Sequence, residues 1–154
     1  MKTFSILIST LLLCGSAQAR LGESPDEIQK RYGKPQRQGD RLDKDSGLPQ
    51  SDYIFKDYSI TVVFKEGKCV REWVNKKDYG LITDEEVFKL IKGITGEADM
   101  KNRGRNSWEG KGWEAIGGGM VVVTATAYQD QVKIHQIAEA KRKEAEAKRK
   151  AEGF

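Results

Sequence analysis

The sequence predicts an α+β fold: two helix-plus-antiparallel-meander units packed as one sandwich, with a long charged C-terminal helix. Three observations carry this. Two segments, Leu21 to Pro35 and Ile82 to Gly96, have the chemistry of helix starts and stops. Each is followed by β-branched runs divided by Gly-containing turns. From Gln131 onward the chain is rich in Ala, Lys, Arg and Glu, all good helix formers. Helices and hairpins that come in runs point to helices packed on one face of an antiparallel sheet.

The N-terminus precedes that domain. Met1-Lys2 is a positive start, Phe4 to Leu13 is an apolar run, and Ala17 and Ala19 are small. That order is the pattern of a secretory signal peptide over residues 1–19, cleaved after Ala19. A spanning helix needs about 20 apolar residues, more than this run supplies. A rival reading lipidates Cys14, but the residue before it is Leu13 rather than a small one. The expectation is a periplasmic or secreted protein with no transmembrane segment after cleavage.

In the first unit Ser24 is the N-cap, Pro25 suits the first helical position, and Glu27 completes a capping box. Gly33 and Pro35 end the helix. Arg31 and Tyr32 are left as the residues of this stretch without a structural duty. Gly39 to Ser51 reads as a polar loop; "DKDSG" lacks the Gly and Glu spacing of a calcium-binding EF-hand. Tyr53 to Phe55 is a short strand, Ser59 to Lys65 a stronger one, and Cys69 to Val74 returns after Glu66-Gly67. Ile60, Val62 and Phe64 share a face. The face of the return strand depends on whether the loop holds two or three residues.

In the second unit Thr83 caps, Glu86 closes the capping box, and Ile82 and Val87 occupy the staple positions. Val87, Leu90, Ile91 and Ile94 give one apolar face. Glu97 to Gly112 reads as a polar connection, and Trp113 to Ile116 and Met120 to Tyr128 as strands. The domain is therefore expected over 20–128. Asp130 can cap the last helix, over 129–154, with Val132, Ile134, Ile137 and Ala138 able to touch the domain. The tail "KRKEAEAKRKAE" has the i,i+3 and i,i+4 charge spacing of a solvated helix.

A slide of 59 residues sets Ser24 on Thr83, Glu27 on Glu86, and Val62-Val63 on Val121-Val122. The chain reads either as a duplication, 21–79 and 80–128, or as two helix starts alike because capping chemistry is shared.

Composition excludes several functions. The formal charge of +4 is spread among mixed charges, so nucleic acid is not an expected partner. The mature chain keeps one cysteine, Cys69, and one histidine, His135. A zinc site of those residues, an internal disulfide and a Cys–His nucleophile are all ruled out or unsupported. No Gly-x-Ser-x-Gly surrounds a serine, and "GGGM" lacks the Gly-Lys-Ser/Thr of a phosphate loop. No cofactor is expected. A hydrolase with an unrecognised acid pair is the weakest of three readings.

Gly22, Ile28, Gly33 and Pro35, the Tyr53 that opens a strand, and the Phe64 and Gly67 of "TVVFKEG" resemble the small outer-membrane lipoprotein A family and the related β-lactamase-inhibitor-protein fold. The resemblance covers Leu21 to Val74, with a fainter echo from Ile82 to Tyr128. It implies an envelope or secreted binding module without catalysis. Some members act in outer-membrane assembly, and the inhibitor branch grips an enzyme. The chain departs from the lipoprotein branch in lacking a convincing lipid-attachment signal.

The expectation is an exported, non-catalytic binding or scaffold protein of the bacterial cell envelope with a protein partner. Candidate binding residues are Tyr53, Arg103, Arg105, Trp108 and Lys111, since aromatic and Arg anchors are what interfaces use. Trp73 and Trp113 read as core, and Trp108, in its Gly-flanked segment, as the exposed anchor. The alternative partner is an anionic envelope polymer held by the basic loop and tail.

Overall fold

The computed structural model describes residues 21–151; residues 1–19, expected as a signal peptide, and with them Cys14, lie outside the described residues. The chain is an α+β fold. α1 (Pro25–Tyr32) is followed by β1 (Arg37–Leu42), β2 (Pro49–Phe55), β3 (Tyr58–Lys65) and β4 (Lys68–Lys76). α2 (Asp84–Thr95) is followed by β5 (Lys101–Gly104), β6 (Ser107–Gly110), β7 (Trp113–Ile116) and β8 (Val121–Ala125), and α3 (Thr126–Ala151) ends it. The eight strands form one sheet in the order β1-β2-β3-β4-β8-β7-β6-β5. The last strand of each run, β4 and β8, meet antiparallel at the centre.

Both capping boxes form. Ser24 N–H donates to Glu27 Oε2 at 2.8 Å, and Thr83 N–H donates to Glu86 Oε2 at 2.8 Å. Each cap oxygen accepts in turn from the N3 backbone N–H. Glu86 also meets Lys76 Nζ at 3.0 Å and accepts from Tyr58 at 3.1 Å, so α2 is tied to β3 and β4. The Thr83 backbone and Lys76 hold its carboxyl down at about 2.

A two-residue turn joins β3 to β4: Lys65 pairs with Lys68, and Glu66 and Gly67 both have positive φ. A bulge then sets Val63 opposite Arg71 and Phe64 opposite Cys69. The extra residue, Val70, moves Glu72 and Val74 onto the face of Ile60 and Val62. That settles which face the return strand shares, which the loop length alone left open.

α1 and α2 cover one face. Ile28, Val87, Ile91 and Ile94 pack with Ile60, Val62, Val74, Val121 and Val123. α3 does not join them: its Tyr128 and Val132 cluster with Val63, Val70 and Trp73 on the opposite face. The expected placing of helices on one face therefore holds for two of three.

Other expectations are corrected. Gly39 to Ser51 is not a continuous loop but contains the end of β1 and the start of β2, and Glu97 to Gly112 contains the β5–β6 hairpin. All four residues of β5 are exposed, so this edge strand buries no face and leaves no alternating pattern to read. The strand expected to reach Tyr128 ends at Ala125, and α3 starts at Thr126 rather than after Asp130. α1 and α2 each precede four strands, where three and two were expected, and the slide of 59 sets Val62-Val63 of β3 on Val121-Val122 of β8, which differ in rank along their runs.

Candidate functional site

On the closed face, under α1, lies a sealed polar cluster. Glu72 of β4 is 0 % exposed. It accepts one hydrogen bond, from the Tyr32 hydroxyl at 2.5 Å, while its Oε2 has no partner. Burial pushes the Glu72 carboxyl up to about 7, and Tyr32 and Arg31 only partly oppose that. Burial likewise raises the Tyr32 hydroxyl, so it stays a neutral donor. Arg31 pairs with Glu23 and keeps Nε and Nη1 unpartnered. Tyr32 thus ties α1 to β4, while Arg31 reaches back to the segment before the helix. Cys69 is buried here, and burial raises its thiol well above the ordinary value; a thiol held protonated is a poor nucleophile.

The opposite face is open. A groove of about 710 Å³ runs between the sheet and α3. Trp73 of β4, Val122 of β8 and Ile116 of β7 form its apolar floor, and Val132 and Gln136 of α3 one wall. Ile116 and the adjacent Met120 are 56 % and 47 % exposed. Smaller hollows continue it on both sides. One shares Trp73 and Asp45 and reaches Leu42 of β1. The other shares Glu114 and Ile116 and reaches Arg103 of β5.

One end of the groove is built by a polar relay. The Arg71 guanidinium lies 4.0 Å from the Trp73 ring centroid and 4.6 Å from that of Tyr128. Arg71 donates to the Tyr128 hydroxyl and lies 3.4 Å from Asp45. Tyr128 donates to buried Asp43 at 2.8 Å, and Asp43 also accepts from the Ser46 backbone at 2.9 Å. Burial and the Asp43 contact push the Tyr128 hydroxyl up to about 12, so it too stays a donor. The relay anchors the first turn of α3 to the β1–β2 loop. His135 packs over Gly47 in that loop, where an added Cβ would lie 2.8 Å from its Nδ1.

The residues expected to bind are divided by this geometry. Tyr53 is buried on the closed face, its ring 5.9 Å from that of Tyr32. Trp108 is not an exposed anchor: it is buried edge-on against Phe88 at 5.5 Å. Of its flanking glycines, Gly104 takes a positive φ with nothing near it, whereas a Cβ on Gly110 would lie 2.3 Å from the Trp113 ring; one on Gly117, after β7, would lie 2.8 Å from the Trp108 ring. Arg103 is exposed, pairs with Glu109 and borders the groove's extension. Arg105 sits exposed at the tip of the β5–β6 turn with φ 46, and Lys111 is exposed in the β6–β7 turn. Trp73, expected in the core, is half-buried on the open face.

Sequence reasoning missed Glu72, Arg71, Asp43 and Tyr128. The signal for Glu72 was an acid in phase with Val74, unreadable until the bulge fixed the phase. Among the described residues no group of three or more His, Cys, Asp or Glu is placed to hold a metal ion, and no helix is long and apolar enough to cross a membrane. No family model, no curated protein and no solved structure matches the chain.

Proposed function

We propose that the chain is an exported, non-catalytic binding or scaffold module of the bacterial cell envelope, and that the open sheet face receives a protein partner. The observation that carries this reading is the groove between the sheet and α3, with Trp73, Ile116 and Met120 presented beside Arg71 and Tyr128. Aromatic, Met and Arg side chains on a preformed concave surface are the anchors interfaces favour. The fully buried carboxyl Glu72 and the thiol Cys69 are sealed on the other face. The resemblance to the small outer-membrane lipoprotein A family and the inhibitor fold supports the same reading. So does the repeated order of one helix and four strands, which we read as a doubled unit joined at β4 and β8.

Capture on the immobilised mature chain tests this. An envelope protein retained by the native chain is expected to be lost by the Ile116→Asp, Met120→Asp double variant and kept by Arg105→Ala at the far edge. A partner retained equally by all three chains would contradict the assignment of the groove.

A further inference from the structure

The outer part of α3 has a second face that the groove does not use. Tyr128, Val132 and His135 turn toward the sheet and the β1–β2 loop, whereas Ile134 and Ile137 are each 58 % exposed. They do not touch the domain as the sequence suggested. From Ile134, helical spacing continues through Ala138, Lys141, Ala145 and Lys148, while Arg142 and Arg149 follow His135 at heptad spacing and border that line. Every residue from Ala140 to Ala151 is exposed. The stripe from Ile134 to Lys148 is about 21 Å long.

The acids of this segment fall mainly on the other side. Glu139 and Glu146 follow Val132 at heptad spacing, on the docked side of the helix. Glu144 flanks the stripe and pairs with Lys148 at 3.2 Å, and Arg142 meets Glu139 at 2.9 Å. Those exposed pairs are weak and open readily to a stronger anion. Lys141 and Arg149 make no ion pair among the described residues.

We propose that this outward face of α3 rests on an anionic lipid surface. Ile134 and Ile137 enter the boundary between headgroups and acyl chains, and Lys141, Arg142, Lys148 and Arg149 lie on lipid phosphates. Two features select this occupant. The exposed segment from Lys141 to Lys150 holds six bases against two acids, Glu144 and Glu146, which fits a surface of negative charge. The exposed Ile pair stands just before that segment, and a polyanion in water would leave it unused, whereas a bilayer boundary buries it. A parallel second copy would set lysine against lysine. The face is separate from the groove, so this inference stands or falls without the proposed protein partner.

Flotation of the mature chain with vesicles tests it. The chain is expected to float with phosphatidylcholine vesicles rich in phosphatidylglycerol, to stay down with pure phosphatidylcholine, and to be released by salt. Changing Lys141, Arg142, Lys148 and Arg149 to Gln is expected to weaken partition by roughly a hundredfold or more, about fivefold for each base. Ile134→Ser with Ile137→Ser is expected to weaken it by roughly tenfold. Unchanged melting of both variants would show that the domain is intact. Any of four results would overturn the proposal: no flotation with anionic vesicles, equal flotation with neutral ones, full binding by the Gln variant, or an Ile variant that binds like the native chain. Loss of a sedimenting dimer in the Ile variant would assign the face to a second copy instead.

Discussion

The two faces of the one sheet are finished in opposite ways. Under α1 and α2 the side chains of both helices interlock with the strands, and even the Glu72 carboxyl is enclosed, beneath a partly buried Tyr32. On the other face α3 is fastened at its first turns through Tyr128, Val132 and His135, and a groove remains beside it. The closed face uses burial to hold the fold. The open face uses a few directional contacts, through Arg71 and Asp43, to hold a surface in place. The difference teaches where to look for each property: stability should respond to the closed face and recognition to the open one.

The largest effect should come from Ile91→Ala on the closed face. Ile91 is fully buried, so the truncation is expected to cost about 3–4 kcal/mol in urea unfolding. Val132→Ala on the half-buried side of α3 should cost about 1 kcal/mol or less. Equal costs would break the comparison.

Glu72 gives a pH test of the same contrast. Its folded pKa of about 7 stands above the ordinary 4.5, so the folded state holds its proton more tightly. Below the ordinary value the carboxyl is protonated in both states and carries no penalty. As pH rises toward 7 the native chain loses stability, by roughly 3 kcal/mol once the group must ionise. Glu72→Gln should therefore melt far above the native chain at pH 8 and close to it at pH 4. A gap independent of pH would remove the sealed carboxyl from the account.

A smaller effect is expected at the relay. Tyr128→Phe takes one donor from buried Asp43 and one acceptor from Arg71, at about 1–2 kcal/mol. Faster amide exchange in the first turns of α3, with α2 unchanged, would locate the loss on the open face. Removal of the helix caps is smaller still: Ser24→Ala and Thr83→Ala should each cost about 1 kcal/mol.

Much of the closed face was legible in the sequence because its signals are local. Ser24-Glu27 and Thr83-Glu86 state their capping boxes within four residues, and Val87, Ile91 and Ile94 state a helix face by spacing. The edge strands β1 and β5 were not legible, since an edge with exposed side chains has no alternation. The open face was hidden for a different reason. The contacts from Arg71 to Tyr128 and from Tyr128 to Asp43 span 57 and 85 residues of chain, and no local pattern announces them. Trp108 misled because the glycines on either side suggest a loop, when Gly104 serves the tight β5–β6 turn and Gly110 makes room for the Trp113 ring.

The central claim is that recognition belongs to the groove between the sheet and α3. A photo-crosslinking side chain placed at Met120, with Arg105 at the β5–β6 tip as the comparison site, tests it most directly in cells. The account predicts a discrete crosslinked envelope protein from Met120 alone, abolished by Trp73→Ala in a chain that still folds. No product from Met120, or the same product from both positions, would contradict it.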